Sequence, residues 1–234
     1  MDLKLQKIVN DYMNDFESKK YSSVAVRNSI PIIWFGDMEA YQKSDKKILT
    51  IGLNPSLREF PAYGRPRFNL NANNADALYK TLNNYFIDNP YDNWFNNFER
   101  CLNRIDTSFG GKMSSAHFSN TAIHIDVFSS IATNPTWGRL SDFEKDEVNQ
   151  QELFQDLLDY LNPDIILMSV ANECFMNTLN IRNPIKIFYR HRKVEVYDEN
   201  GRIMIYGRNM KGQPFGGIDA KDLDLAFAKV KSIM

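Results

Sequence analysis

Asn54 and Asp126 are the residues best placed to do chemistry, because each follows one of the most apolar runs of the chain. Asn54 ends Ile48-Leu49-Thr50-Ile51-Gly52-Leu53 and precedes Pro55; Asp126 alternates with Ile123, Ile125 and Val127, and shares their strand with His124. An amide cannot deprotonate water, but it can orient one against an electrophile, and positioning alone contributes several kcal/mol. An ionised carboxylate only accepts hydrogen bonds, so Asp126 suits a partner that presents N–H groups. His124 is either a general base oriented by Asp126 or a partly buried structural histidine. From Ser56 to Asn74 there is no periodicity, but Arg58, Phe60, Tyr63, Arg65, Arg67 and Phe68 make a long basic-aromatic loop. Loops of that length inside a domain are usually functional or disordered. Gly207 to Gly217 is a glycine-rich loop carrying Lys211, Gln213, Pro214 and Phe215.

Composition removes several classes. A chain of 234 residues is long enough for one domain with a full core, and a single domain over 1–234 is expected. The net charge of −1 argues against binding nucleic acid by bulk electrostatics. Its distribution is uneven, acidic from Ser141 to Asp164 and basic from Arg182 to Lys211, which is either one basic face or a solvated surface. No apolar run approaches the roughly 20 residues needed to cross a bilayer, and the start lacks a signal segment. Cys101 and Cys174 are the only cysteines, so a disulfide framework and four-cysteine metal centres are excluded, and reduced thiols in a cytoplasmic protein are expected. Three scattered histidines give no metal-ligand spacing, so neither metal nor cofactor is expected. Ser108-Phe109-Gly110-Gly111-Lys112 lacks the first glycine of a phosphate loop, and Gly-x-Ser-x-Gly and Gly-x-Gly-x-x-Gly are absent; this counts against an α/β hydrolase or nucleotide-binding protein unrelated to DNA.

The elements that hold these residues follow from periodicity. Residues 48–53, 121–127 and 165–170 read as buried strands, and 193–197 with 202–206 as a hairpin around Asp198-Glu199-Asn200-Gly201. Ile32 to Gly36 is either an edge strand or a packed turn. Helical spacing marks residues 2–18, a helix capped by Asp76, another from Trp94 to Ile105, a capping box at Ser141-Asp142-Phe143-Glu144, and a last helix capped by Asp219. The alternation predicts an α/β fold, a three-layer α/β/α sandwich on a central, mainly parallel four-stranded sheet. Pro55 turns the chain at the carboxyl end of the first strand, where open α/β sheets hold their ligands.

Gly52-Leu53-Asn54-Pro55-Ser56 resembles the first motif of the uracil-DNA glycosylase superfamily in its Gly-x-Asn-Pro form. Phe68 stands close to the offset at which that family keeps an aromatic residue to stack on the flipped base. His124 to Val127, running into Ser129, Asn134-Pro135 and Gly138-Arg139-Leu140-Ser141, is similar to the corresponding region of the single-strand-selective monofunctional branch. Gly212-Gln213-Pro214-Phe215-Gly216-Gly217 sits where the family keeps its His-Pro-Ser-like second motif. The chain departs from the pattern at Asp126, where the family has Asn, and at Gln213, where it has His.

The resemblance implies a monofunctional DNA glycosylase that hydrolyses the N-glycosidic bond of a flipped pyrimidine. Asn54 then orients the water, and Gln213 or the N–H groups of its loop donate to the base as charge develops. Gly52, Leu53, Phe68 and Asp126 bind the base. Arg58, Arg65, Arg67 and Lys211 hold DNA phosphates, and Pro214 and Phe215 wedge into the vacated stack. Asp126 repels uracil O4 but accepts from the N4 amino group of cytosine, which favours a modified cytosine, hydroxymethylated or glucosylated, with uracil close behind. Asp126 protonated, or bonded to His124 or a loop amide, is the other reading of that residue. Antiphage defence or base-excision repair would use such an enzyme. DNA is the expected partner, the membrane is not, and a monomer is expected. A catalytically inactive module of the same fold that binds modified DNA is the alternative.

Overall fold

The computed structural model describes residues 1–114, 116–179, 181–182, 184–191, 193–210 and 212–234, without the side chains of Asn172 and Glu173. In chain order the elements are α1 (Leu3–Lys19), α2 (Met38–Lys43), β1 (Ile48–Gly52), α3 (Ala75–Asn83), α4 (Tyr85–Asp88) and α5 (Asp92–Leu102). β2 (Thr107–Ser108), β3 (Asn120–Thr121), β4 (Ile123–Asp126), α6 (Asp142–Val148), α7 (Gln151–Leu161) and β5 (Ile165–Met168) follow. The chain ends with α8 (Asn172–Thr178), β6 (Ile185–Arg190), β7 (Val194–Glu199), β8 (Arg202–Gly207) and α9 (Ala220–Lys231). No helix among the described residues is long and apolar enough to cross a membrane.

This is a mixed α/β protein whose main sheet has six strands rather than the expected four, in the order β4-β1-β5-β8-β7-β6. β1, β5 and β8 run parallel, and β8, β7 and β6 are antiparallel. β1 and β5 are buried along their whole length, as their aliphatic runs require. The hairpin β7–β8 turns at Asn200 and Gly201, both at positive φ, the type I′ geometry that Asn-Gly adopts most readily. The strand that matches no segment read from the sequence is β6, an edge strand whose pattern is mostly exposed, with Ile185 at 66%. Its run Ile185-Lys186-Ile187-Phe188-Tyr189-Arg190 is rich in strand formers, yet it buries neither face fully. The expected strand 121–127 is split: β3 pairs with β2 in a separate two-stranded sheet, and only β4 joins the main one.

The chain divides into two compact units. Met1–Asp37, Gly52–Tyr91 and His124–Asn162 form the first; Met38–Ile51, Asp92–Ile123 and Pro163–Met234 form the second. In the first unit Asp2 caps α1 by accepting from the Leu5 amide, and Leu5, Ile8, Val9, Tyr12 and Phe16 bury one face. α1 packs against α3 and α7. Asn74, not Asp76, caps α3, by accepting from Ala77; Asp76 sits inside the first turn. In the second unit α9 packs on β6 and β7. Asp219 stands at its N-cap but makes no capping bond, because Lys193 Nζ takes its carboxylate at 2.9 Å.

Candidate functional site

The end of β1 and the end of β4 meet in the first unit. Val127 donates to Gly52 O and Phe128 to Leu53 O, so the chain beyond each strand is held beside the other. Asn54 then turns its carboxamide into the protein by its nitrogen. Nδ2 donates to Pro55 O (2.7 Å) and Thr133 Oγ1 (2.8 Å), and lies 3.5 Å from Ile131 O. Thr133 is itself fixed, since its amide donates to Pro55 O. With the nitrogen pinned the amide orientation is determined, and Oδ1 accepts no hydrogen bond among the described residues. Half-buried Asn54 therefore presents a fixed acceptor, the group needed to hold a water by one of its protons. Thr133, which sets this orientation, carries no motif and was not legible in the sequence.

Beside it, Gly52, His124 and Asp126 form one tight cluster. The Asp126 side chain is 5% exposed, and its Oδ1 lies 3.5 Å from His124 Nε2. The period of two placed these side chains together, and the structure does too. A Cβ at Gly52 would overlap Asp126 Oδ1 and stand 2.9 Å from His124 Nε2, so only glycine lets both approach the strand end. His124 is buried, edge-on to the Phe35 ring at 5.4 Å. Its backbone exchanges two hydrogen bonds with Phe35, so Ile32 to Gly36 is a packed segment with one bridge to β4.

The aperiodic loop after Asn54 brings a residue that the sequence did not single out. Leu57–Glu59 forms a short 3₁₀ turn capped by Ser56, which carries Glu59 inward. Tyr85 Oη donates to Glu59 Oε2 at 2.7 Å, and the Tyr91 amide donates to Tyr85 Oη. Arg67 Nε lies 4.0 Å from the same carboxylate oxygen. Burial pushes the Glu59 carboxyl up to about 7, and the Asp126 charge adds to the rise; the Tyr85 hydrogen bond and Arg67 oppose it. Burial and the nearby Glu59 hold the Tyr85 phenol well above its ordinary value.

Phe68 was expected to stack on a base, but it is 4% exposed and stacks on Tyr85 (5.0 Å) and Phe60 (5.8 Å). It still lines a cavity of about 530 Å³, together with Glu59, Phe60, Arg67, Arg27 and Asn134. That volume lies within the range of small-molecule sites. The half-buried Phe60, read in the sequence as part of the basic-aromatic loop but given no site role, belongs to this wall. A second cavity of about 350 Å³, between α1 and the 26–31 segment, contains none of the expected site residues.

The remaining expectations divide. Arg58 and Arg65 are exposed, and the Arg65 guanidinium lies 3.7 Å from the Asp88 carboxylate. Arg67 is not available to a phosphate: Nε donates to Arg58 O, and Nη1 to Asn89 O and Pro90 O. Its planar fork fits carbonyls, and it ties the loop to the residues before α5. Leu53 packs against the cluster of Phe16, Val24, Ile131, Trp137 and Leu140 and so serves the core. Gln213, Pro214 and Phe215 belong to the second unit. Gln213 is exposed, and its backbone pairs with Met210. Pro214 and Phe215 are buried and are not an exposed wedge. Phe215 fills the space left by the missing Cβ of Gly207 and packs edge-on to Phe98, while Ser169 Oγ and Arg100 Nη2 hold its backbone. Lys211 lies outside the described residues.

No protein-family model and no curated protein sequence matches this chain.

Proposed function

We propose that this protein is a monofunctional DNA glycosylase acting on a flipped pyrimidine. The observation that carries the reading is the Asn54 carboxamide, fixed through its nitrogen with its oxygen left to accept from a water. An oxocarbenium-like sugar needs a positioned nucleophile more than a strong base, and an amide supplies that. The Gly-x-Asn-Pro resemblance, the adjacent Asp126 and the aromatic cavity support the same reading. Asp126 Oδ2 accepts no hydrogen bond among the described residues, so the carboxylate retains capacity for an amino group. A modified cytosine, hydroxymethylated or glucosylated, is therefore favoured, with uracil close behind. Exposed Arg58 and Arg65 are suited to phosphates. The reading implies a three-layer α/β/α sandwich, a cytoplasmic monomer, and a role in antiphage defence or base-excision repair.

The test is single-turnover formation of alkali-labile sites in oligonucleotides containing uracil, hydroxymethylcytosine or glucosylated hydroxymethylcytosine. Release of a cytosine derivative is expected, and Asn54→Ala should lower it by about 100-fold or more while DNA binding persists. Efficient uracil release with inert cytosine derivatives rejects the base assignment. Binding of modified DNA without release of any base replaces the enzyme by an inactive binding module.

A further inference from the structure

Loss of a base leaves an electron pair on its ring, and a cytosine-type ring holds that pair poorly. Its anion is more basic than that of uracil, so departure demands a proton from an acid in the site. Asp126 sharpens the demand, because a carboxylate whose charge reaches Glu59 on the cavity wall opposes a departing anion. None of Asn54, Gly52, His124 and Asp126 is among the residues that line the cavity, so the acid has to come from its wall.

We propose that Glu59 is that acid, a catalytic residue whose carboxyl delivers a proton to the base seated in the cavity it lines. The inference rests on the glycosylase reading. Glu59 is buried, and it forms part of the cavity wall with Phe60 and Phe68. Tyr85 holds one of its oxygens, while Oε1 takes no hydrogen bond among the described residues. A buried carboxylate with half its acceptor capacity unused is an expensive arrangement for a purely structural residue. The charged and titratable groups around it are Tyr85 from α4, Arg67 from its own loop and Asp126 from β4, with Arg27 on the cavity wall. Burial and Asp126 outweigh Tyr85 and Arg67, so the proton is still held near neutral pH.

In the step, the Glu59 proton passes to the acceptor edge of the base. The bond between C1′ and the ring nitrogen breaks with its electron pair on the nitrogen, and the base leaves neutral. The water held by Asn54 adds its oxygen to C1′ and loses one proton to solvent, and Glu59 regains a proton from solvent. The products are a hydroxylated sugar and a protonated base, so the water is fully accounted for.

The experiment measures single-turnover release of 5-hydroxymethylcytosine and of 5-fluorouracil, a much better leaving group. Glu59→Gln should slow the first by about 100-fold or more and the second by less than about tenfold. The wild-type rate on 5-hydroxymethylcytosine should fall as pH rises above about 7. Tyr85→Phe removes a donor that favours the ionised carboxylate, so it should move that limb to higher pH. Equal slowing of both bases, no slowing, or a wild-type rate independent of pH overturns the proposal while leaving the glycosylase standing. Wild-type protein that releases neither base overturns both.

Discussion

Glu59 in the first unit and Glu99 in the second are buried to nearly the same extent, 5% and 4% exposed, yet they are satisfied differently. Glu99 accepts from Ser108 Oγ at 2.6 Å through one oxygen and from the Phe109 amide at 3.0 Å through the other. It fastens the segment after β2 to α5. Among the described residues the Glu59 carboxyl accepts only from Tyr85, and Glu59 is part of a cavity wall. Burial raises both carboxyls; two hydrogen bonds oppose the rise at Glu99, while at Glu59 the Tyr85 hydrogen bond and Arg67 oppose it and the Asp126 charge adds to it. Saturated hydrogen bonding marks a buried charge kept for the fold. An unused oxygen on a residue that lines a cavity marks one kept for a ligand.

The largest effect that tests this contrast is on stability. Glu99→Ala leaves the Ser108 hydroxyl and the Phe109 amide without their partner and opens a void, so a loss of roughly 3–4 kcal/mol is expected. Denaturant unfolding near pH 7 measures it. A loss below about 1 kcal/mol would mean that Glu99 fastens nothing, and the contrast with Glu59 would collapse.

Glu59 should behave in the opposite way. Folded, it keeps its proton to about pH 7; unfolded, it loses it near the ordinary value of 4.5. Between those values the folded state holds more protons than the unfolded state, so stability falls as pH rises through the window. The loss is complete above about pH 7 and absent below about 4.5. Glu59→Gln removes the titration, so the variant should exceed wild type by about 3 kcal/mol at pH 8 and match it near pH 4. Unfolding curves across that range check both ends. A variant less stable than wild type at pH 8 would place Glu59 with Glu99 as a structural residue.

What the sequence showed and what it hid have one physical basis. β1 and β5 were legible because buried parallel strands are continuous aliphatic runs. The box at Ser141 and Glu144 was legible because it is local, and both of its hydrogen bonds form. β6 was missed although Ile185, Ile187, Phe188 and Tyr189 are strand formers, because Lys186 and Arg190 place it in the basic run that read as surface. Asn54 and the side-by-side placement of His124 and Asp126 follow from the strand register. Glu59 does not, since its meaning comes from Tyr85 and Asp126, which only the folded loop brings near. Arg67 and Phe215 misled for the same reason: exposed-looking residue types in aperiodic loops were claimed by carbonyls and by the gap at Gly207.

Gly52→Ala sharpens the comparison from the other side, because it disturbs Asp126 without touching Glu59. The added methyl must push the Asp126 carboxylate and the His124 ring away from the strand end, at a cost of about 2 kcal/mol. With Asp126 displaced, Glu59 loses one cause of its raised proton affinity, and the upper end of the stability-loss window should move to lower pH. Unfolding of the variant as a function of pH reads both effects, and an unchanged window would mean that Asp126 does not act on Glu59.

Tyr85→Phe should be the gentlest change, because it removes one hydroxyl and keeps the ring that stacks on Phe68. The Glu59 carboxyl loses the hydrogen bond it accepts from Tyr85, and the Tyr91 amide loses its acceptor, for a net loss of about 1–2 kcal/mol. The sign across pH carries the information. Tyr85 favours the ionised form, so its removal should raise the proton affinity of Glu59 and extend the stability-loss window above pH 7. The variant should therefore fall further below wild type at pH 8 than at pH 5 in paired melting curves. An equal deficit at both pH values would mean that the hydroxyl does not tune the carboxyl, and would leave burial and Asp126 as its controls.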